Sequence, residues 1–482
     1  MRSMFLRILS LTLCLLFVLP LTMGCAKEGT NAGGSQSGAT DPEGYQNPVE
    51  VVDLGGKEYT FMGSGWYEYA PLDYVDIAPE APSGDMVGNA AFERLVYIEN
   101  TYNCNIIFDG SLTDPREFNT KLEANTMAGD EAYDFVLSRG QTYITAINGE
   151  YFNEVSMYDV DTDSSWWDKS ALDALTINGK NYGIVGDVTV NHLMAVWMVC
   201  FNKTLVSNYK LESPYEMVEN GTWTYDRVIQ TARSFASDSD GITGMGKQDL
   251  WGINYTRDTV MGILLANGIK IVEKDGNGVP QMVVTNYQSQ IHDILTSLYD
   301  ETFAADTMNK TLLCEESDTE VFDDDKCLFL FTATHNSTAL RNSNVDYGMV
   351  PYPKASDDGD YISTAAGNFL TIVSFPKTNT DYENSGILLN AFAAFGQAKV
   401  RPQFYENVLL RKNAKDVESY DMLKYIFENL TYDIGAIYDI TESAINDTSR
   451  TQDTGITTLI MTNRNIWRNK LKTLLLSFGI TE

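Results

Sequence analysis

The chain has 482 residues, 44% of them hydrophobic, with 34 Lys and Arg against 66 Asp and Glu and a formal net charge of −32. A body this acidic repels nucleic acid and anionic lipid, which excludes both as partners of its surface. Its globular part, about 435 residues, exceeds what one hydrophobic core holds, so two lobes are expected.

At the N-terminus, Arg2 and Arg7 precede an apolar run from Ile8 to Leu21 and small residues up to Cys25. A short basic region, about 14 apolar residues and a small-residue cleavage site make a secretory signal, too short for a bilayer span of ~20 residues. Leu21, Thr22, Met23, Gly24 and Cys25 resemble a bacterial lipobox, which implies cleavage before Cys25 and acylation of its thiol. Thr22 stands where such boxes usually carry Leu, and plain cleavage nearby is the alternative. Residues 26–47 are polar and rich in Gly, Ser and Thr. Such a segment is expected to stay disordered, a tether of roughly 25 Å. The expectation is a signal at 1–24, a lipid anchor and tether at 25–47, and a body at the cell surface, on the outer face of the cytoplasmic membrane.

The body opens with a strand, KEYTFMGSG, followed by a loop containing Trp66 and Tyr67. Val87, Ala91, Leu95, Ile98 and Tyr102 then recur at helical spacing from Met86. A strand NCNIIFDG, a helix from Pro115 to Met127, a short buried strand DFVLS and a helix around Tyr143 to Asn148 come next. Such alternation implies a parallel sheet with helical crossovers, and ligands in such sheets lie beyond the carboxyl ends of the strands. The loops at Trp66 and Tyr67, and at Arg139 and Gln141, are therefore candidate site walls.

A second block begins with INGKNYGIVGD, a hairpin with an Asn-Gly turn, and the apolar strand AVWMVCFNK. The helix TYDRVIQTARSFA has Thr224 as its N-cap. LWGINY reads as a strand, TVMGILLANG as an apolar helix ending at Gly268, DGNG as a hairpin and NYQSQIHDILTSLYD as a helix. KCLFLFTAT and DYGMVPYP are strands, and the C-terminal third is mostly helical, ending in NIWRNKLKTLLLSFG.

Cys104 and Cys200 sit in apolar runs and read as buried free thiols, whereas Cys314 and Cys327 either pair across a 12-residue loop or stay reduced. No metalloprotease, nucleophile-elbow or phosphate-loop motif is present, and the three histidines, His192, His292 and His335, have no partner at metal-ligand spacing. His292 reads as a helix-surface residue, and His335, after a strand, as a candidate for the site. Asp323, Asp324 and Asp325 lack the Gly and terminal Glu of a calcium loop and read as a solvated turn. Neither a metal nor another cofactor is expected, and no catalytic residue stands out.

NGKNYGIVGD with AVWMVCFNKTLV, SPYEMVENGTWTYDRV, LWGINY, DDDKCLFLF, DYGMVPYPK and FPKTNTDYENSGILLNAF, in that order and spacing, resemble the family 1 extracellular solute-binding proteins of ABC importers, relatives of maltose-binding protein. The resemblance covers nearly all of residues 50–440. It implies a two-lobed α/β fold with a ligand cleft and several hinge crossings, near 190–198, 346–354 and 395–402. The N-lobe would be 48–190 plus 352–398, and the C-lobe 191–351 plus 399–482. The partners implied are a small solute, carbohydrate above all, and the permease subunits of an importer. Sugars offer apolar C–H faces to aromatic rings and hydroxyls to planar hydrogen-bonding groups. Trp66, Tyr67, Trp197, Trp251, Tyr255 and Asn336, with Arg139 and Gln141, are accordingly the expected ligand contacts. Trp166, Trp167 and Trp223 read as packing. Alternatives are a secreted glycan hydrolase and a receptor of the same fold for a peptide or polyamine.

Overall fold

In the strand Lys57–Ser64 (β1), Tyr59 and Phe61 are buried, and the strand pairs in parallel with both Cys104–Leu112 (β2) and Phe135–Arg139 (β3). A fourth strand, Thr371–Ser374 (β12), joins the far side of β3 but runs antiparallel to it, giving the order β12-β3-β1-β2. The computed structural model describes residues 44–64, 76–112, 114–239, 241–242, 248–299, 311–314, 320–336, 340, 343–367, 370–409, 417–451 and 454–481. The signal, Cys25, Trp66 and Tyr67 lie outside the described residues, as does the side chain of Asn336. The tether read over 25–47 overruns: Tyr45 is buried, its ring 5.4 Å from that of Tyr97 and 4.8 Å from that of Phe395.

A second sheet has the order β10-β4-β9-β5-β8, built from Trp197–Asn202 (β4), Trp251–Thr256 (β5), Thr311–Cys314 (β8), Cys327–Ala333 (β9) and Tyr347–Val350 (β10). Strands β5, β8 and β9 are mutually parallel, while β4 runs against both of its neighbours. The parallel sheet expected of the first half thus needs one correction, β12, and the second sheet has a reversed strand of its own, β4. Strands β4 and β12 are the two entered by chain arriving from the other sheet. They begin at the end where the parallel strands finish, so they run backwards.

Local chemistry sets the elements where expected. The helix Met86–Tyr102 is capped by Asp85, whose carboxylate accepts from the Gly88 N–H. Thr224 caps Tyr225–Phe235 by accepting from the Arg227 N–H at 3.3 Å. Asn178 and Gly179 both take positive φ, 53° and 72°, and close a tight hairpin between Ile177 and Lys180, the geometry that an Asn-Gly turn favours. A second hairpin pairs Val272–Lys274 (β6) with Pro280–Met282 (β7). The remaining two strands, Ser363–Thr364 (β11) and Leu430–Thr431 (β13), pair in parallel.

Both sheets contribute to one connected hydrophobic core. Phe61 stacks on Phe135 at 4.4 Å and meets Phe392 of the helix Tyr382–Phe395 at 5.3 Å. In the second half every residue of β4, β5 and β9 is buried, as expected of strands covered on both faces. The Trp223 ring meets Phe329 edge-on at 5.5 Å and its indole donates to the Pro351 carbonyl at 2.8 Å, a packing role. The C-terminal helix Ile456–Ser477 packs on Gln288–Tyr299 and also on Gly140–Asn148, next to the first sheet. Among the described residues no helix is long and apolar enough to cross a membrane.

Candidate functional site

The turn Asn191–Met194 packs both on the turn that follows β9 and on β12, whose Thr371 pairs with Arg139 at the carboxyl end of β3. Arg139, the last residue of β3, is held by a reciprocal pair of bonds. Its backbone N–H donates to Thr142 Oγ1 at 2.9 Å, and that hydroxyl donates to the Arg139 carbonyl at 2.8 Å. Residue Gln141, two positions on, is exposed in the first turn of Gly140–Asn148. His335 follows β9 in a short turn, Thr334–Asn336, that packs on the turn Asn191–Met194. Burial pushes the His335 imidazole down to about 4, and the positive charge of Arg139 acts in the same direction, against a bond to the Met194 backbone. A guanidinium at the end of the first sheet thus acts on an imidazole at the end of the second. The junction is tied by Thr334, whose N–H donates to Val196 O at 2.9 Å and whose hydroxyl donates to Leu193 O.

The other expected contacts divide by position along the second sheet. Trp197 starts β4 opposite Ala333, at the end where His335 lies, but is only 3% exposed. Its indole packs against Gly262, where a Cβ would come within 2.8 Å, and against Tyr352 at 6.3 Å. Tyr255 lies near the same end and is fully buried, 6.4 Å from Tyr299. Trp251 stands at the opposite end, across from Cys327 at the start of β9, and is 5% exposed. At ~3.3 Å per residue that is roughly 13 Å from Tyr255. The structure therefore places Arg139 and His335 at strand ends flanking the turn Asn191–Met194, leaves Gln141 at the surface, and places Trp251 and Tyr255 in the core.

Cys104 and Cys200 are buried free thiols, and burial pushes the Cys104 thiol up to about 12. Cys327 is buried, its thiol donating to Phe329 O at 3.3 Å. His292 lies on the surface with Nδ1 2.8 Å from the Thr454 carbonyl.

Sequence reasoning missed the polar node where the chain crosses between sheets. Arg94 is 0% exposed; it donates to the Asp76 carboxylate at 2.9 Å and to Val188 O at 2.8 Å. The other Asp76 oxygen accepts from the Val190 N–H at 2.6 Å. Arg401 reaches Asp187 at 3.3 Å, and the His192 ring lies 3.9 Å from the other Asp187 oxygen. Burial raises the Asp187 carboxyl to about 6, with Arg401 opposing it, and burial with the Arg401 charge drops His192 to about 3. The one sequence signal was phase: Arg94 falls three residues after Ala91 and four before Ile98, on the apolar face of its helix. Near the carboxyl end of β5 a second set gathers, with Arg257 on Asp258 at 2.6 Å and on Asp447 at 2.7 Å. Among the described residues no group of three His, Cys, Asp or Glu side chains could hold a metal.

No family model matches the chain, and no curated protein matches it in sequence. Solved structures do match its fold. An ABC substrate-binding protein from Listeria monocytogenes, in complex with cycloalternan, aligns with a TM-score of 0.54 at 15% identity, over 88% of this chain and all of that one. A cyclo/maltodextrin-binding protein complexed with maltotetraose aligns at 0.55 and 13% identity, over 87% of this chain and 97% of that one. UgpB from Mycobacterium tuberculosis, in complex with glycerophosphocholine, aligns at 0.54 and 11% identity, over 84% and 99%. These are binding proteins rather than enzymes. With two α/β sheets, each containing one reversed strand, and crossings that knit them together, the chain has the two-lobed fold of the solute-binding proteins of ABC importers.

Proposed function

We propose that this protein is the receptor of an ABC importer and binds a small solute, a mono- or oligosaccharide first, between the carboxyl ends of β3 and β9. The observation that carries this reading is that the turn Asn191–Met194 packs both on the turn after β9, which holds His335, and on β12, which pairs with β3 at Arg139. A ligand shifts an open–closed equilibrium only through its preference for one state, so a receptor cleft needs polar groups from both walls. Arg139 and Gln141 belong to one wall and His335 to the other, with Trp197 behind it. The lobes are residues 48–190 plus 352–398 and 191–351 plus 399–482. Cys25 carries the lipid that holds the body outside the membrane beside the permease subunits.

Carbohydrate is favoured because two of the three structures above were solved with oligosaccharides. The third, with glycerophosphocholine, supports a non-sugar solute as the second reading. Thermal-shift titration of the mature protein with maltotetraose, glycerophosphocholine and spermidine separates them, since a ligand at 100 times its Kd adds ~2.7 kcal/mol. Arg139→Ala should abolish the shift given by the true ligand class. Turnover of a bound glycan by the purified protein would overturn the receptor reading.

A further inference from the structure

Behind the first crossing lies a cavity of about 320 Å³, lined by Trp166, Trp167, Asp187, His192, Arg401 and Phe427 among others. It borders the Arg139–His335 junction through the turn Asn191–Met194, whose His192 and Leu193 line it, but neither Arg139 nor His335 does. Gly186 allows it to form, because a Cβ there would stand 2.3 Å from the Trp166 carbonyl and 2.6 Å from the Trp167 ring. Three of its lining residues each carry a buried polar atom with no hydrogen-bond partner among the described residues: Nε1 of Trp166, Nε1 of Trp167 and Oδ1 of Asp187. Trp167 and Asp187 are each 2% exposed, and a buried polar group left without a partner is costly.

The donor and acceptor pattern identifies what fits. Both indoles can only donate. His192 Nδ1 lies 2.8 Å from the Thr189 carbonyl, which can only accept, so Nδ1 carries the proton. In the neutral ring Nε2 is then an acceptor, and it faces the acceptor Asp187 Oδ1 across 3.9 Å. Two donors and two acceptors call for groups that both give and take a hydrogen bond, which is what hydroxyls do. An anion would meet Asp187, Asp168 and Glu428, and a cation would meet Arg401 and Lys169. The volume is at the lower end for small-molecule sites, and Phe427 and the indoles supply flat apolar walls.

We infer that this cavity is a second binding site, for a small neutral polyhydroxylated molecule of monosaccharide size, separate from the cleft. Its hydroxyls donate to Asp187 and His192 and accept from the two indoles. The site does not depend on which solute the cleft takes.

The test uses the mature protein labelled with nitrogen-15 at indole, with sorbitol and glucose as probes. Indole N–H resonances of Trp166 and Trp167, assigned by Trp166→Phe and Trp167→Phe, should shift and saturate with at least one probe. Trp167→Phe keeps an aromatic face but removes the indole donor, and should weaken that binding about tenfold. Arg139→Ala, which disables the cleft, should leave it unchanged. Indole signals that stay fixed up to the solubility limit of both probes would overturn the site. So would a shift abolished by Arg139→Ala, which assigns the binding to the cleft. Because Trp167→Phe touches packing, its melting curve is recorded alongside, and Asp187→Asn gives an independent loss of the acceptor. Probe binding unaffected by both variants also refutes the assignment.

Discussion

Gly396 lies so close to Asp187 that a Cβ on it would stand 1.7 Å from the Asp187 carbonyl oxygen. It opens the π-helical turn Gly396–Val400, which joins the helices Tyr382–Phe395 and Arg401–Leu409. The turn Gly396–Val400 is therefore pressed against the Asp187 backbone at a position only glycine can fill. One-turn π segments recur at functional sites, and here the turn aims Arg401 back at the same Asp187.

Gly396→Ala should destabilise the protein by about 3 kcal/mol, at the upper end of overpacking costs, because backbone rather than a flexible side chain stands in the way. Gly276→Ala, where nothing lies within 4 Å, is the control. Urea unfolding of both variants checks this. Equal midpoints would show that the two segments have room to part.

Arg94 and Asp76 should behave as a buried pair. Arg94→Met leaves Asp76 without its guanidinium and should cost about 3–5 kcal/mol. Adding Asp76→Asn to it should recover part of that loss, since the orphaned charge is then gone. A double-mutant cycle by chemical denaturation gives the coupling, and a purely additive result would contradict the geometry.

The pH dependence carries two opposite signs. Asp187, with its carboxyl raised to about 6, stays protonated longer in the fold than in the unfolded chain. Its contribution is present below the ordinary aspartate value near 3.8 and is lost as pH rises through 6. His335, lowered to about 4, contributes stability that is present above its ordinary value near 6.5 and is lost as pH falls toward 4. Wild type should therefore lose stability relative to Asp187→Asn between pH 4 and 6, by about 2–3 kcal/mol. Relative to His335→Gln it should lose stability in the opposite direction across the same range. Denaturation midpoints at a series of pH values read both slopes.

The junction itself is open to spectroscopy. Arg139→Gln removes a positive charge acting on His335, so the His335 imidazole should titrate at higher pH than in wild type. Proton NMR of the ring signals measures this without any ligand. By contrast Trp251→Ala should leave that titration unmoved while costing about 3–5 kcal/mol of stability, as a core aromatic does.

The local elements were legible because their causes are local. Asp85 and Thr224 cap helices within three residues of themselves, and Asn178 with Gly179 closes a turn within four. Apolar runs such as AVWMVCFNK announced fully buried strands. The segment order was enough to indicate the two-lobed fold, and the strand-end rule singled out Arg139 and His335 as candidates.

Sheet direction and depth were decided elsewhere. Nothing in WMVCFN or TIVS states that these strands run backwards; that follows from the end at which the chain enters each sheet. Trp251 and Tyr255 belong to one strand of six residues, all buried, so composition alone could not say which end faces the junction. Asp76, Arg94, Asp187 and Arg401 come from four separate stretches of chain, and none carries a local sign of the others. Sequence by itself fixes what each short segment does with its own hydrogen bonds and apolar face. Which distant charges share one buried node depends on loops closing over hundreds of residues, and only the packed tertiary structure decides that.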